Sequence, residues 1–209
     1  MHAMTSDVSL EAPGWRCVSA IADLAEIFEP AVQVCSWRRT LDPQIAVYLD
    51  GADDSGTVQS IETLVPQGRA RLDGLPEGDG REALIDDVTS LAEVLHELVD
   101  CPAVGLRCTR VEHAMCPRWH VDRVPLRMLC TYRGPGTEWL ADQGVDRAEL
   151  ARPEIASGRC RRADAGELVL LKGALWDGND SLGAVHRSPA VEPVDGQRVL
   201  VTLDPLWPS

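Results

Sequence analysis

Aromatic side chains are scarce in this chain of 209 residues, which has one phenylalanine, two tyrosines and six tryptophans. Lysine is scarcer still: Lys172 is the only one among 20 basic residues, a bias that base composition favouring arginine codons accounts for. No apolar run approaches the roughly 20 residues that a membrane span needs, and Met1–Leu10 lacks the charged-then-apolar pattern of a secretion signal. No membrane association and a cytoplasmic location are therefore expected. None of the seven cysteines forms a C-x-x-C pair, which excludes a zinc ribbon and a thioredoxin-type redox motif. In a reducing compartment they read as small buried hydrophobes without disulfides. Positive charge is also short. The net charge of −13 argues against nucleic acid and anionic membranes as partners, because phosphates repel it.

What is present is an ordinary globular composition, 44% hydrophobic and 25% charged, in a chain long enough to bury a full core. The acidity is uneven. Residues 1–100 carry 6 basic and 19 acidic side chains, whereas residues 101–209 carry 14 of each. Helical spacing of apolar residues over 18–28, Pro43 to Leu49 and Leu84 to Leu98 makes the first half mainly helical, with a short strand at Val32–Trp37 and a Pro/Gly-rich loop over 66–81. After about residue 101, short aliphatic and β-branched runs (Val104–Val111, Val124–Tyr132, Glu167–Leu171, Leu182–His186, Arg198–Leu203) alternate with turn signals. This texture predicts an α+β fold in which an acidic helical layer (1–100) packs on a small β-barrel or sandwich (101–209), with residues 1–209 forming one domain.

The chemistry concentrates in the second half. His120-x-Asp122 on a strand would point an imidazole and a carboxylate to one face. By itself this pair also fits a buried histidine bonded to its neighbour. His186, near the end of a later strand, supplies a second imidazole. Two histidines and one carboxylate on one face of a metal leave open positions opposite, the arrangement of non-haem Fe(II) oxygen-activating sites. Arg198 opens the last strand and shares a face with Leu200 and Thr202 by the two-residue period. An arginine pointing inward would need an anion, and its planar fork suits a carboxylate; at a strand end it could equally reach solvent. Cys116, four residues before His120, reads as a buried thiol, with a soft zinc ligand as the alternative. Lys172 reads as a solvated strand end, and Arg187 should point away from His186, toward substrate or an acidic helix.

The order H-x-D, H, R on successive strands resembles the Fe(II)/2-oxoglutarate-dependent oxygenase superfamily, whose fold is a double-stranded β-helix (a jelly-roll barrel) with flanking helices. More narrowly, C-P-R-W-H-V-D-x-V-P-L-R, T-Y-R-G-P-G-T-E-W, L-V-L-L-K-G, H-R-S-P and R-V-L-V-T-L-D are similar to an uncharacterised bacterial family, domain of unknown function 1826, over about residues 100–204. The resemblance implies a jelly roll over 101–209 and a metal triad of His120, Asp122 and His186 that also forms the catalytic centre. It further implies that Arg198 holds the far carboxylate of 2-oxoglutarate, with Tyr132 and Thr202 as further hydrogen-bond donors and Arg127 as a rival anchor. Leu200 stands where many of these oxygenases place a serine, which bears on the co-substrate more than on the metal. The implied activity is hydroxylation of a small-molecule or protein substrate by Fe(II), 2-oxoglutarate and dioxygen. Two alternatives are a zinc-binding barrel in metal homeostasis, since the family resemblance carries an association with zinc-responsive metallochaperone GTPases, and a degenerate barrel acting as an interaction module.

Overall fold

The computed structural model describes residues 14–51, 58–141, 145, 147–150, 160–179, 182–191 and 197–208. The turn signal Asp177-Gly178-Asn179-Asp180 ends on Asp180, which lies outside them. In the stretch Leu126-Arg-Met-Leu-Cys-Thr-Tyr-Arg133, alternate residues point to opposite faces of a strand. Leu126, Met128, Cys130 and Tyr132 join the main apolar cluster, while Leu129 belongs to a second cluster on the other side. This strand, β5 (Leu126–Arg133), lies at the centre of a seven-stranded sheet.

The other elements are β1 (Trp15–Val18), a 3-10 helix (Ile21–Phe28), β2 (Val34–Trp37), α1 (Pro43–Gly51), β3 (Val58–Leu64), α2 (Arg81–Val99) and β4 (Ala103–Val111). They continue with β6 (Glu138–Leu140), a 3-10 turn (Arg147–Glu149), β7 (Cys160–Arg162), β8 (Leu168–Lys172), β9 (His186–Arg187) and β10 (Arg198–Leu206). The large sheet runs β1-β2-β8-β5-β10-β4-β3 and the small one β7-β6-β9. All pairs are antiparallel except β1 with β2.

Helix α2 forms because Leu84, Val88, Leu91 and Leu95 recur on one side, and all four are buried. Asp100 ends it in the left-handed conformation, and Pro102 follows. Its apolar side packs on β4 and β10, where Val104, Leu106, Val199 and Val201 complete the core. Each fully buried leucine contributes about 1.5–3 kcal/mol. Across the sheet, Val34, Leu129, Val169, Leu171 and Leu200 meet Trp139 of the small sheet.

The fold is thus α+β, but two expectations need correction. The first 100 residues are not simply a helical layer with one strand, because besides β2, at the place of the expected strand, they supply β1 and β3 to the two edges of the large sheet. Edge strands bury little, so their alternation is faint in sequence; Ile61 of β3 is 74% exposed. The strands after residue 101 also do not make one closed ladder, since β6, β7 and β9 form a separate sheet of two- and three-residue strands. Among the described residues, no helix is long and apolar enough to cross a membrane.

Candidate metal centre

His120 and His186 are joined by the backbone. Each donates its amide N–H to the other's carbonyl at 3.0 Å, an isolated antiparallel bridge beside β9. This pairing sets the two imidazoles side by side, with ring centroids 4.4 Å apart. Asp122 follows His120 by two residues and lies on the same side. Its carbonyl accepts from the Ala174 amide at 2.9 Å, tying it to the turn after β8. Gly173 permits that approach, because a Cβ there would lie 1.9 Å from the Val124 carbonyl oxygen.

The tautomer of each histidine follows from its partner. Nδ1 of His120 lies 2.8 Å from the Arg118 carbonyl and Nδ1 of His186 lies 3.0 Å from the Ala184 carbonyl. A carbonyl oxygen only accepts, so both Nδ1 atoms carry hydrogen and both Nε2 lone pairs face inward. Each Nε2 is 3.3 Å from a different oxygen of Asp122, and the three donors lie within 4.8 Å of one another. Two lone pairs aimed at a carboxylate require a positive charge between them, either a proton or a metal ion. Burial alone would raise the Asp122 carboxyl, but in the metal-free protein the two imidazoles, which hydrogen-bond to it when Nε2 carries a proton, and the charge of Arg127 hold it well below the usual carboxylate range. The hydrogen bond to Asp122 raises His120, against its partial burial. A donor set of two imidazoles and one carboxylate, converging with one side open, fits a divalent ion such as iron.

The triad opens into a cavity of about 100 Å³, also lined by Arg107, Met115, Cys116, Leu129, Leu200 and Thr202. Thr202 of β10 is thus on the cavity wall. Arg127 lines it too, but not as an available anchor. Its Nη1 donates to Asp122 Oδ2 at 2.5 Å, and its Nε and Nη2 grip Asp204 at 2.7 Å each. Both ends of that guanidinium are already committed to carboxylates.

Arg198 differs. It is 1% exposed, and its Nη2 donates to the hydroxyls of Thr131 (3.2 Å) and Thr137 (2.9 Å), while its Nε is buried without a partner. No carboxylate is paired with it among the described ion pairs, and burial pulls it down to about 10. Thr137 also lines the cavity, so the guanidinium is linked to the space in front of the triad.

Tyr132 is on the wrong face. The period of β5 turns it toward the helices, where its hydroxyl donates to Asp87 Oδ2 at 2.5 Å. The hydroxyl on the site side is that of Thr131, one residue earlier, brought opposite Leu200 by a one-residue slip in the β5–β10 ladder. Counting from the apolar residues Leu126, Met128 and Cys130 would have separated these two. Thr137 and Asp204 gave no such signal, since their partners lie 61 and 77 residues away.

Two other expectations change, those for Cys116 and Lys172. Cys116 is exposed, not buried, and lies outside the cluster of donors, although it lines the cavity. Lys172 is buried at 2% exposure, its Nζ donating to the Glu29 carbonyl at 2.8 Å and lying over Trp176. Arg187 stacks on Trp119 with 4.3 Å between guanidinium and ring, and its Nε donates to Glu138 at 2.7 Å. An aromatic platform and a buried acid thus hold it beside the cavity.

The profile of the family described as "Protein of unknown function (DUF1826)" matches residues 19–204. No functionally curated protein is significantly similar in sequence. Solved structures are similar in fold. A putative oxygenase from Shewanella oneidensis superposes with a TM-score of 0.53 at 14% identity, over 95% of this chain and 90% of that one. The rice dioxygenase for auxin oxidation gives 0.51 at 18% identity, over 90% and 78%. The Arabidopsis thaliana dioxygenase for auxin oxidation 1, solved with 2-oxoglutarate, gives 0.51 at 12% identity, over 94% and 93%. At these identities the likeness is one of fold.

Proposed function

The chain belongs to the DUF1826 family, and we propose that it is a non-haem Fe(II)/2-oxoglutarate-type oxygenase that hydroxylates a small-molecule or protein substrate. One observation carries the reading: a buried arginine without an acid, Arg198, is linked through Thr137 to the cavity into which His120, Asp122 and His186 present their donor atoms. A metal site alone would not call for that arginine. A metal site that also takes a dicarboxylate would.

In this reading, His120, Asp122 and His186 hold the iron and leave positions open on the cavity side. Iron bound there supplies the one-electron chemistry by which 2-oxoglutarate, dioxygen and substrate become succinate, carbon dioxide and hydroxylated substrate. The protein's part is positional. The Arg118 and Ala184 carbonyls fix the histidine tautomers, and Arg127, braced by Asp204, orients Asp122. Arg198 takes the far carboxylate of 2-oxoglutarate, with Thr131, Thr137 and Thr202 offering hydroxyls where Leu200 offers none. The two sheets are read as the halves of a jelly roll. Residues 1–209 are read as one domain, because residues from both halves share one apolar cluster.

The test is anaerobic. Protein given Fe(II) and 2-oxoglutarate is expected to develop a visible charge-transfer band that His120→Ala and His186→Ala lack. Folded protein that binds iron but gives no band contradicts the reading. Zinc is the alternative ion, favoured by the place of Cys116 on the cavity wall. Under that reading Cys116→Ser loosens the metal and 2-oxoglutarate has no effect. Folded protein that binds no divalent metal would instead support an interaction module.

A further inference from the structure

The chain as a whole is strongly acidic, at −13, yet its cavity has the opposite balance. Arg107, Arg127 and Arg187 line it and Arg198 lies against it, facing the carboxylates of Asp122, Asp204 and Glu138. Under the oxygenase reading, a divalent ion and the dianion of 2-oxoglutarate cancel each other. Positive charge is then in excess, because Glu138 serves Arg162 as well as Arg187, and one guanidinium at the cavity wall is left uncommitted.

The geometry identifies it. Arg127 is held by Asp122 and Asp204 together. Arg187 is bonded to Glu138 and stacked on Trp119. Arg198 is the member assigned to 2-oxoglutarate. Among the described residues Arg107 has only Asp204 as an ion partner, whose oxygen is 3.8 Å from its Nη2, beyond hydrogen-bonding distance, and both oxygens of that acid already accept from Arg127 at 2.7 Å. Arg107 stands on β4 opposite Thr202 of β10, on the cavity side of the sheet, with its side chain 38% exposed. It is a cation at the wall of the cavity, open to solvent, with its planar fork uncommitted.

We propose that Arg107 is a substrate-specificity residue and that the substrate of this site carries an oxyanion, a carboxylate or a phosphate, received by the Arg107 guanidinium while its apolar part lies along Met115. The inference rests on the oxygenase reading. Arginine is suited to either oxyanion, because two parallel N–H donors match two oxygens. Met115, 40% exposed and lining the same cavity, offers an adaptable apolar wall beside it.

The experiment uses the full chain loaded anaerobically with Fe(II) and 2-oxoglutarate, and follows perturbation of the charge-transfer band as hexanoate, hexyl phosphate or the neutral hexanamide is added. Saturable perturbation by one or both anions and none by the amide is expected. If only hexanoate acts the anion is a carboxylate, and if only hexyl phosphate acts it is a phosphate. Arg107→Gln is expected to form the band and to bind the effective anion roughly 10- to 100-fold more weakly, as loss of a charge-assisted pair predicts. Arg107→Lys, which keeps the charge without the fork, should fall between. The inference is overturned if hexanamide acts as well as the anions, if neither anion acts, or if Arg107→Gln binds the anion as the wild type does. A wild-type protein that forms no band at all overturns the oxygenase reading as well. The two failures are thus distinguishable.

Discussion

Strand β5 carries an arginine-centred network on each side, and the two are built differently. On the helix side, Arg39 meets Asp87 with two bonds, at 2.5 and 2.8 Å, donates through Nε to the Gly166 carbonyl at 3.0 Å, and Tyr132 donates to the same carboxylate. That network is closed, with charge balanced and donors used. On the cavity side, Arg198 is buried more deeply than Arg39 but among the described residues meets only hydroxyls, and two histidine lone pairs point at one carboxylate. That network is open. A closed buried network can be understood as structure alone, since each charge stabilises the other. An open one leaves a buried cation uncompensated, which disfavours folding unless a ligand completes it.

The largest expected effect would break the closed side. Asp87→Ala removes the only carboxylate partner of Arg39 among the described residues and the acceptor of Tyr132, and should lower unfolding stability by about 3 kcal/mol. Chemical denaturation should show this loss while metal affinity stays unchanged. A stability change under about 1 kcal/mol, as for an exposed pair, would show that this network is not the structural one. On the open side, His186→Ala should weaken binding of a divalent ion by at least about 100-fold, roughly 2.7 kcal/mol, measured by competition with a chromophoric chelator. Affinity within a factor of a few of wild type would remove His186 from the site.

Arg198→Met sharpens the contrast. Removing a buried cation that has no acid should raise the stability of the ligand-free protein by about 1–2 kcal/mol, in the direction found when buried charges are replaced by apolar residues. The same change should abolish binding of 2-oxoglutarate. Destabilisation would mean that Arg198 serves the fold as Arg39 does. The smallest effect is expected at Tyr132→Phe, a loss of about 1 kcal/mol for one buried hydrogen bond with 2-oxoglutarate binding intact. Loss of that binding would return Tyr132 to the cavity side.

Periodicity explains which parts of this design were legible in the sequence. Helix α2 and strands β4, β5, β8 and β10 bury whole faces, so their alternation is strong and their places were readable. His120 and Asp122 could be grouped because H-x-D is a short-range pattern, and His186 joins them only through the order of motifs that the resemblance carries. The bridge that sets the two histidines side by side spans 66 residues and leaves no local trace. Strands β6 and β7 are three residues each, too short for a period to show. Tyr132 was read onto the wrong face through its capacity to donate, although its parity with Leu126, Met128 and Cys130 placed it in the core. Lys172 was misread because charge argues for solvent, while here a carbonyl and an indole replace water. The commitment of Arg127 to Asp204 depends on β5 and β10 being neighbours, which is a property of the topology and not of either segment.

The account stands most directly on whether the open network binds both of its ligands. Calorimetric titration of 2-oxoglutarate into protein loaded with Mn(II), a redox-quiet stand-in for iron, tests this in one measurement. Saturable binding is predicted with the metal present, much weaker binding without it, and none in Arg198→Met that still holds Mn(II). Equal binding with and without metal, or binding by Arg198→Met as tight as by the wild type, would contradict it.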